Sequence, residues 1–332
     1  MFPGSDNERV SWLRWLRMRR FLRRFSLLGL IRSALLLTLI WWIAQNWYGD
    51  LDRETLRARY ALDGSRFVTV GGVETHVREM GAGEPLLLIH DAGSTLHTWD
   101  YWTRDLSDAY RVISVDLPGY GLTGPHPKGS YSDFMYAGFI GELARELGLS
   151  NFALAGNGIG ARIAWFYAHE NPQQLSKLIL IDSPGFEKSR SDLIAWLART
   201  PVINRIFLKI TPRYFVRLAL EDAFANDSLV TPERIALSHE LMRHPGNRKA
   251  FTDRAQVSDN HPPIDLIDEI KTPTLILWGA EDTRYSPEHA YEFHRRIRGS
   301  LLRIYQNTGR WPQEESPEET ARDVKAFLEG RF

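Results

Sequence analysis

The residues best placed to do chemistry lie between Phe152 and Ala164. Phe152-Ala153-Leu154-Ala155 reads as an apolar strand, Gly156-Asn157-Gly158-Ile159-Gly160 as a glycine-punctuated turn, and Ala161-Arg162-Ile163-Ala164 as the start of a helix. A sharp strand-to-helix turn of this kind is the layout of a nucleophile elbow, G-x-S-x-G, which lifts one side chain above a sheet. Here the lifted position is Gly158, which has no side chain. Acyl transfer at such a site needs an oxygen nucleophile, an imidazole to take its proton, a carboxylate to orient the imidazole, and backbone N–H donors for the oxyanion.

Five further segments place that turn in context. Pro85 to Ser94 is an apolar run ending in His90-Asp91-Ala92-Gly93. Arg111 to Thr123 is a strand followed by Asp116-Leu117-Pro118-Gly119-Tyr120-Gly121. Leu178 to Asp182 and Pro273 to Asp282 are two later strands, and Asn307 to Pro317 is a loop containing Gly309-Arg310. In order and content these segments resemble the α/β-hydrolase superfamily, from about Phe67 to the C-terminus. The resemblance implies an α/β fold with a mostly parallel central sheet flanked by helices. It further implies Gly158 at the nucleophile position, Asp282 at the acid position, Arg310 at the histidine position, and oxyanion donors from Ala92 and Ile159. His90 matches the family's structural histidine, and Asp91 stands where the family carries the glycine of His-Gly.

Against that pattern the chain keeps the acid and lacks the two groups that react. Glycine supplies no nucleophile, serine or aspartate, and a guanidinium stays protonated at physiological pH, so Arg310 is no base. Loss of either group costs several orders of magnitude in rate. Asp91 adds a carboxylate near the volume where an oxyanion would form, or else faces solvent on its loop. An ion pair of Arg310 with Asp282, and with Asp91, would put a fixed contact where a mobile His–Asp couple would work. Ser94, Thr95 and Ser183 are hydroxyls near strand ends, with His90 and His97 as neighbouring imidazoles. They are the residues from which an unconventional site could be assembled, although each also suits a cap or a strand-end turn.

The 332 residues carry no formal net charge and no cysteine, which excludes disulfides and thiolate chemistry. Residues 1–32 nevertheless hold eight Arg against Asp6 and Glu8. Aromatic and aliphatic residues from Trp12 to Phe25 interleave with those arginines, a basic amphipathic pattern suited to an anionic membrane surface rather than to nucleic acid. Leu27 to Ala44 is almost wholly apolar, with Arg32 near one end and Trp41, Trp42, Trp47 and Tyr48 near the other. That length and those flanks predict a transmembrane signal anchor at 27–48. Arginine on the N-terminal side predicts a cytoplasmic N-terminus and a periplasmic or extracytoplasmic main domain.

The predicted organisation is therefore a basic segment at 1–26, the anchor at 27–48, a connector at 49–66, the first part of the hydrolase core at 67–185, a helical cap at 186–261 and the second part of the core at 262–332. Trp196, Phe207, Tyr214, Phe215, Phe224, Leu237 and Met242 are the expected lining of a pocket under the cap. No histidine–carboxylate cluster has metal-ligand spacing, and the glycine spacing at 156–160 is not that of a dinucleotide loop, so neither metal nor cofactor is expected. Two functions stay open: a membrane-tethered pseudohydrolase binding an apolar small molecule or a protein partner, and an active hydrolase of small ester- or lactone-type substrates through an unconventional site.

Overall fold

A computed structural model describes residues 27–186, 200, 205–257 and 261–331. The basic N-terminal stretch and Trp196 lie outside the described residues. The chain divides into two compact units, residues 1–47 and residues 48–332.

In the first unit, helix α1 (Leu27–Gln45) is apolar around its whole circumference. Leu35, Leu36 and Leu37, successive positions that point in three directions, are all more than half exposed. Among the described residues, no helix is long and apolar enough to cross a membrane. The described side chains of α1 begin at Gly29 and cover about 26 Å at 1.5 Å per residue, against a hydrocarbon core of about 30 Å.

The second unit opens with α2 (Arg53–Tyr60), capped by the Asp52 carboxylate accepting the Thr55 N–H. Its Leu56 is fully buried with Leu122 and Leu241, so the charged connector is a docked element rather than a free linker. Strands β1 (Ser65–Val70) and β2 (Val73–Met80) form the hairpin that Gly71-Gly72 predicts. There follow β3 (Glu84–Ile89), α3 (Asp100–Leu106), β4 (Tyr110–Val115), α4 (Asp133–Glu146), β5 (Phe152–Asn157), α5 (Ile159–Glu170) and β6 (Leu175–Ile181). Between β6 and the next strand lie α6 (Arg213–Glu221), α7 (Pro232–Met242) and α8 (Asn247–Gln256). The chain then returns through β7 (Thr274–Gly279), α9 (Pro287–Arg296), β8 (Leu301–Tyr305) and α10 (Pro317–Leu328).

The eight strands are ordered β1-β2-β4-β3-β5-β6-β7-β8. Pairing is antiparallel for β1/β2 and β2/β4 and parallel from β4 to β8. Strands buried on both faces need apolar residues throughout, which explains the near-continuous runs in β3, β5, β6 and β7. One apolar cluster joins α4, α5 and α9 to one face, and a second joins α3 and α10 to the other. Parallel order brings the loops after β3, β5, β6, β7 and β8 to one edge, where open α/β sheets hold their ligands.

Asp116, just after β4, is the polar pin of that edge. Its carboxylate accepts the N–H groups of Leu96 (2.8 Å) and Leu122 (2.9 Å) and lies 2.7 Å from His76 Nδ1. Burial pushes its carboxyl up, but the His76 hydrogen bond and charge, with His90 and His97 nearby, outweigh burial and hold it far below the usual range. A depressed carboxylate contributes stability above its unfolded pKa that is lost as pH falls through the folded one. Asp116→Ala is expected to lower the unfolding free energy at pH 7 by about 3 kcal/mol, because it strands buried donors. In urea titrations that loss should shrink as pH is taken progressively below about 4.

Candidate active site

Gly158 sits between β5 and α5 with φ 55° and ψ −121°, a conformation that is strained for any residue with a Cβ. The turn is tight because α5 packs hard on the sheet. A Cβ on Gly160 would lie 2.3 Å from the Ile89 carbonyl oxygen, which explains the glycine there. The elbow backbone is thus complete, and its apex is bare.

The space above the apex is filled from the neighbouring loop. A Cβ on Gly158 would lie 2.0 Å from Asp91 Oδ1 and 2.2 Å from Asp91 Cγ. Asp91 is 4% exposed, and its Oδ1 accepts the Ile159 N–H at 3.0 Å. The Ile159 N–H at the start of α5 therefore holds a side-chain carboxylate. Burial raises the Asp91 carboxyl, but the Arg310 charge and the Ile159 hydrogen bond outweigh it, and the group lies below the usual range. Trp311 Nε1 approaches its other oxygen at 3.4 Å. Of the two placements open to Asp91 in the sequence, the structure takes the one inside the site.

Arg310 is 5% exposed and finds a partner the sequence does not advertise. Its Nη2 donates to the backbone oxygen and to Oδ2 of Asp222, both at 2.9 Å. Its Nε stands 3.8 Å from Asp282 Oδ1, an ion pair without a hydrogen bond. No direct contact joins it to Asp91 among the described residues. The expected Arg310–Asp282 couple is therefore secondary, and Asp222, between α6 and α7, is the main counter-ion. Nothing in local pattern could single out Asp222, because its role depends on how that region packs over the sheet edge.

The loop carrying Arg310 is held rigidly. Asn157 Nδ2 donates to the Arg310 carbonyl at 2.9 Å, and Gln313 Nε2 donates to Thr98 Oγ1 at 2.8 Å and to Asn157 Oδ1 at 3.2 Å. Glu315 accepts the N–H groups of Gly309 (2.7 Å) and Ala225 (2.8 Å). Asn157, beside the apex, is thus committed to loop anchoring.

Asp282 Oδ1 accepts the Arg284 N–H at 2.8 Å. Asp182, fully buried at φ 44°, accepts the Gly279 N–H on its Oδ1 at 3.1 Å, and the Oδ2 atoms of Asp182 and Asp282 have no hydrogen-bond partner among the described residues. Burial, followed by the Asp282 charge, drives the Asp182 carboxyl well above its ordinary range, and burial likewise raises Asp282.

The remaining hydroxyls and imidazoles separate cleanly. His90 accepts the Leu117 N–H on Nε2 (3.1 Å), so its Nδ1–H donates to the Asp91 carbonyl (2.7 Å); both nitrogens are used, and burial lowers its pKa. Ser94 donates to the Thr95 carbonyl and the fully buried Ser183 to the Pro184 carbonyl, each at 3.3 Å, and neither meets an imidazole. Thr95 does: its Oγ1 lies 2.9 Å from His97 Nδ1, while His97 Nε2–H donates to the Tyr60 carbonyl at 2.8 Å. Burial lowers the His97 pKa, which leaves it neutral.

Asp91, Thr95, Arg310 and Trp311 all open onto a cavity of about 770 Å³. Phe207, Phe215, Leu237 and Met242 line it as expected. Phe224 does not: it is packed edge-on against Trp311, with ring centroids 5.1 Å apart, and Tyr214 is 64% exposed. Among the described residues, no group of histidines and carboxylates could hold a metal ion.

The profile of the alpha/beta hydrolase fold matches residues 84–317. The chain belongs to that family. Among its relatives, the 2-hydroxy-6-oxo-2,4-heptadienoate hydrolase of Pseudomonas putida is 29% identical over 276 residues, covering 79% of this chain and 95% of the relative. Lipase 1 of Psychrobacter immobilis is 29% identical over 260 residues, covering 74% and 77%. A solved structure of a membrane phospholipase A superposes with a TM-score of 0.67 at 27% identity, covering 94% of this chain and 99% of that one. This α/β-hydrolase-fold chain thus combines the family's sheet and elbow backbone with glycine at the apex and arginine in the loop after β8.

The acidic pair makes the site's stability pH-dependent. A carboxyl whose folded pKa is raised contributes stability below its unfolded pKa, and that contribution is lost as pH rises through the folded one. Asp182→Asn keeps the acceptor for Gly279 and removes the titration. Its melting temperature relative to the parent is therefore expected to climb steadily from pH 4 to pH 8; a pH-independent difference would contradict the raised Asp182 carboxyl.

Proposed function

We propose that this α/β-hydrolase-fold protein is a non-catalytic, membrane-tethered member of its family that uses the cavity to bind an apolar or amphipathic small molecule or a partner protein. One observation carries the reading: the Asp91 carboxylate stands where the nucleophile's side chain would be and takes the Ile159 donor. A substrate carbonyl entering there would meet no attacking atom and would have to displace a buried anion. Arg310, buried between Asp222 and Asp282, supplies charge and no proton acceptor. Fold alone does not assign turnover, so the hydrolase names of the relatives do not decide against this reading.

The tether rests on α1 and its flanks. Exposed leucines and Trp41 around α1, with arginines before it, suit a single span with the N-terminus in the cytoplasm and residues 48–332 outside. The match to the membrane phospholipase A favours it too: with 47 residues ahead of Tyr48, a likeness covering 94% of the chain must reach into them. Protease added to intact cells with a permeabilised outer barrier is expected to digest the main domain. Protection of that domain would overturn the orientation.

A second reading, an active hydrolase of small esters or lactones, is favoured by one arrangement, the Thr95 hydroxyl on His97 with the Tyr60 carbonyl orienting the imidazole. A panel of short-chain aryl esters separates the two. The natural protein is expected to give no turnover above background, and Gly158→Ser with Arg310→His should stay inactive, since Asp91 fills the serine's space. Adding Asp91→Gly to that pair should raise hydrolysis at least about tenfold over background, against the several orders of magnitude a complete triad supplies. Turnover by the natural protein would sink the non-catalytic reading, and its loss in Thr95→Val would assign it to the Thr95–His97 pair.

A further inference from the structure

Among the described residues, the guanidinium groups around the cavity pair off with carboxylates, with one exception. Arg162 Nε meets Asp133 Oδ2 at 2.7 Å, and His261 Nδ1 lies 2.7 Å from the same oxygen. Arg234 is paired with Glu314, Arg104 with Asp100 at 2.8 Å, and both Arg310 and Arg284 with Asp222. Arg254, on α8, lines the cavity with no carboxylate of its own. Its Nη1 donates to the Tyr120 hydroxyl at 3.3 Å, its guanidinium stands 6.0 Å from the Tyr136 ring centroid, and its buried Nε has no hydrogen-bond partner. Asp133 attracts Arg254 from nearby but is already shared by Arg162 and His261. Asp133, Arg162 and Arg254 together thus leave at least one positive charge on the cavity wall.

A guanidinium withdrawn from water without a paired anion is costly, and its planar fork matches a carboxylate. The wall beyond it includes Phe207, Phe215, Leu220, Leu237 and Phe251. Asp91, which also lines the cavity and holds the Ile159 N–H, repels an anionic head group from the elbow.

We propose that the cavity binds a monocarboxylate with an apolar tail, its head group on Arg254 and its tail against the aromatic and aliphatic side chains contributed from between β6 and β7. This rests on the binding role proposed above and names the chemical class of the ligand.

Calorimetry on the purified full chain with 4-phenylbutyrate, 4-phenyl-1-butanol and 4-phenylbutylamine tests the class with soluble probes of one shape. The acid is expected to bind at a 1:1 ratio and at least about tenfold more tightly than the alcohol, as a charge-assisted hydrogen bond supplies. The amine should bind most weakly. Arg254→Gln should erase the acid's advantage while leaving the alcohol's affinity unchanged, which also reports an intact cavity, and Arg254→Lys should keep part of the advantage. Equal affinities for acid and alcohol, an advantage that survives Arg254→Gln, or no binding of any probe would each overturn the proposal. Ester hydrolysis by the same preparation with the acid preference intact would overturn the non-catalytic reading alone. Loss of the preference without hydrolysis would overturn the carboxylate site alone.

Discussion

The seating of the Asp91 carboxylate on the Ile159 N–H is the interaction around which the rest of the site is arranged. A backbone donor at the N-terminal end of a helix is a strong anion site, since the turn fixes the donor and the helix dipole adds to it. In a working elbow that capacity is held for a charge that exists only in the transition state. Here the Ile159 N–H is taken by a charge belonging to the protein, 4% exposed and 3.0 Å away. Glycine at 158 is what makes this occupation sterically allowed, because any Cβ would collide with the carboxylate. The missing side chain and the added carboxylate are thus two halves of one substitution in space.

A buried anion needs compensation, and the surroundings supply it in layers. Arg310 is near enough to hold the Asp91 carboxyl below its ordinary range, yet its own hydrogen bonds go to Asp222. Burial raises the Asp182 and Asp282 carboxyls, which lessens the negative charge they add near Asp91. The same cavity is also lined by Arg162, paired with Asp133, and by Arg254.

Much of the architecture was legible from residue pattern. The apolar runs of β3, β5, β6 and β7 have the near-continuous hydrophobicity that strands buried on both faces require, and Gly71-Gly72 marked the hairpin turn. In the charged connector at 49–66, Leu51, Leu56 and Tyr60 stand at loose helical spacing, and Leu56 is fully buried against Leu122 and Leu241 with the other two packed on that cluster. Phe224 marks the limit of such patterns, since an aromatic residue expected at the pocket wall is instead behind it, packed on Trp311.

By itself, the sequence determined that glycine stands at 158 and arginine at 310, residue types that supply no nucleophile and no base near neutral pH. It also determined the order of strands and turns, since these follow from local hydrophobic period and glycine placement. Only the tertiary structure decided what occupies the empty apex. Asp91 and Ile159 are 68 residues apart and meet because β3 and β5 are parallel neighbours whose following loops emerge side by side. It likewise decided that Arg310 answers to Asp222 rather than chiefly to Asp282, a pairing set by how the chain between β6 and β7 folds over the sheet edge. Distances of this kind depend on packing between segments remote in sequence, and no local pattern records them.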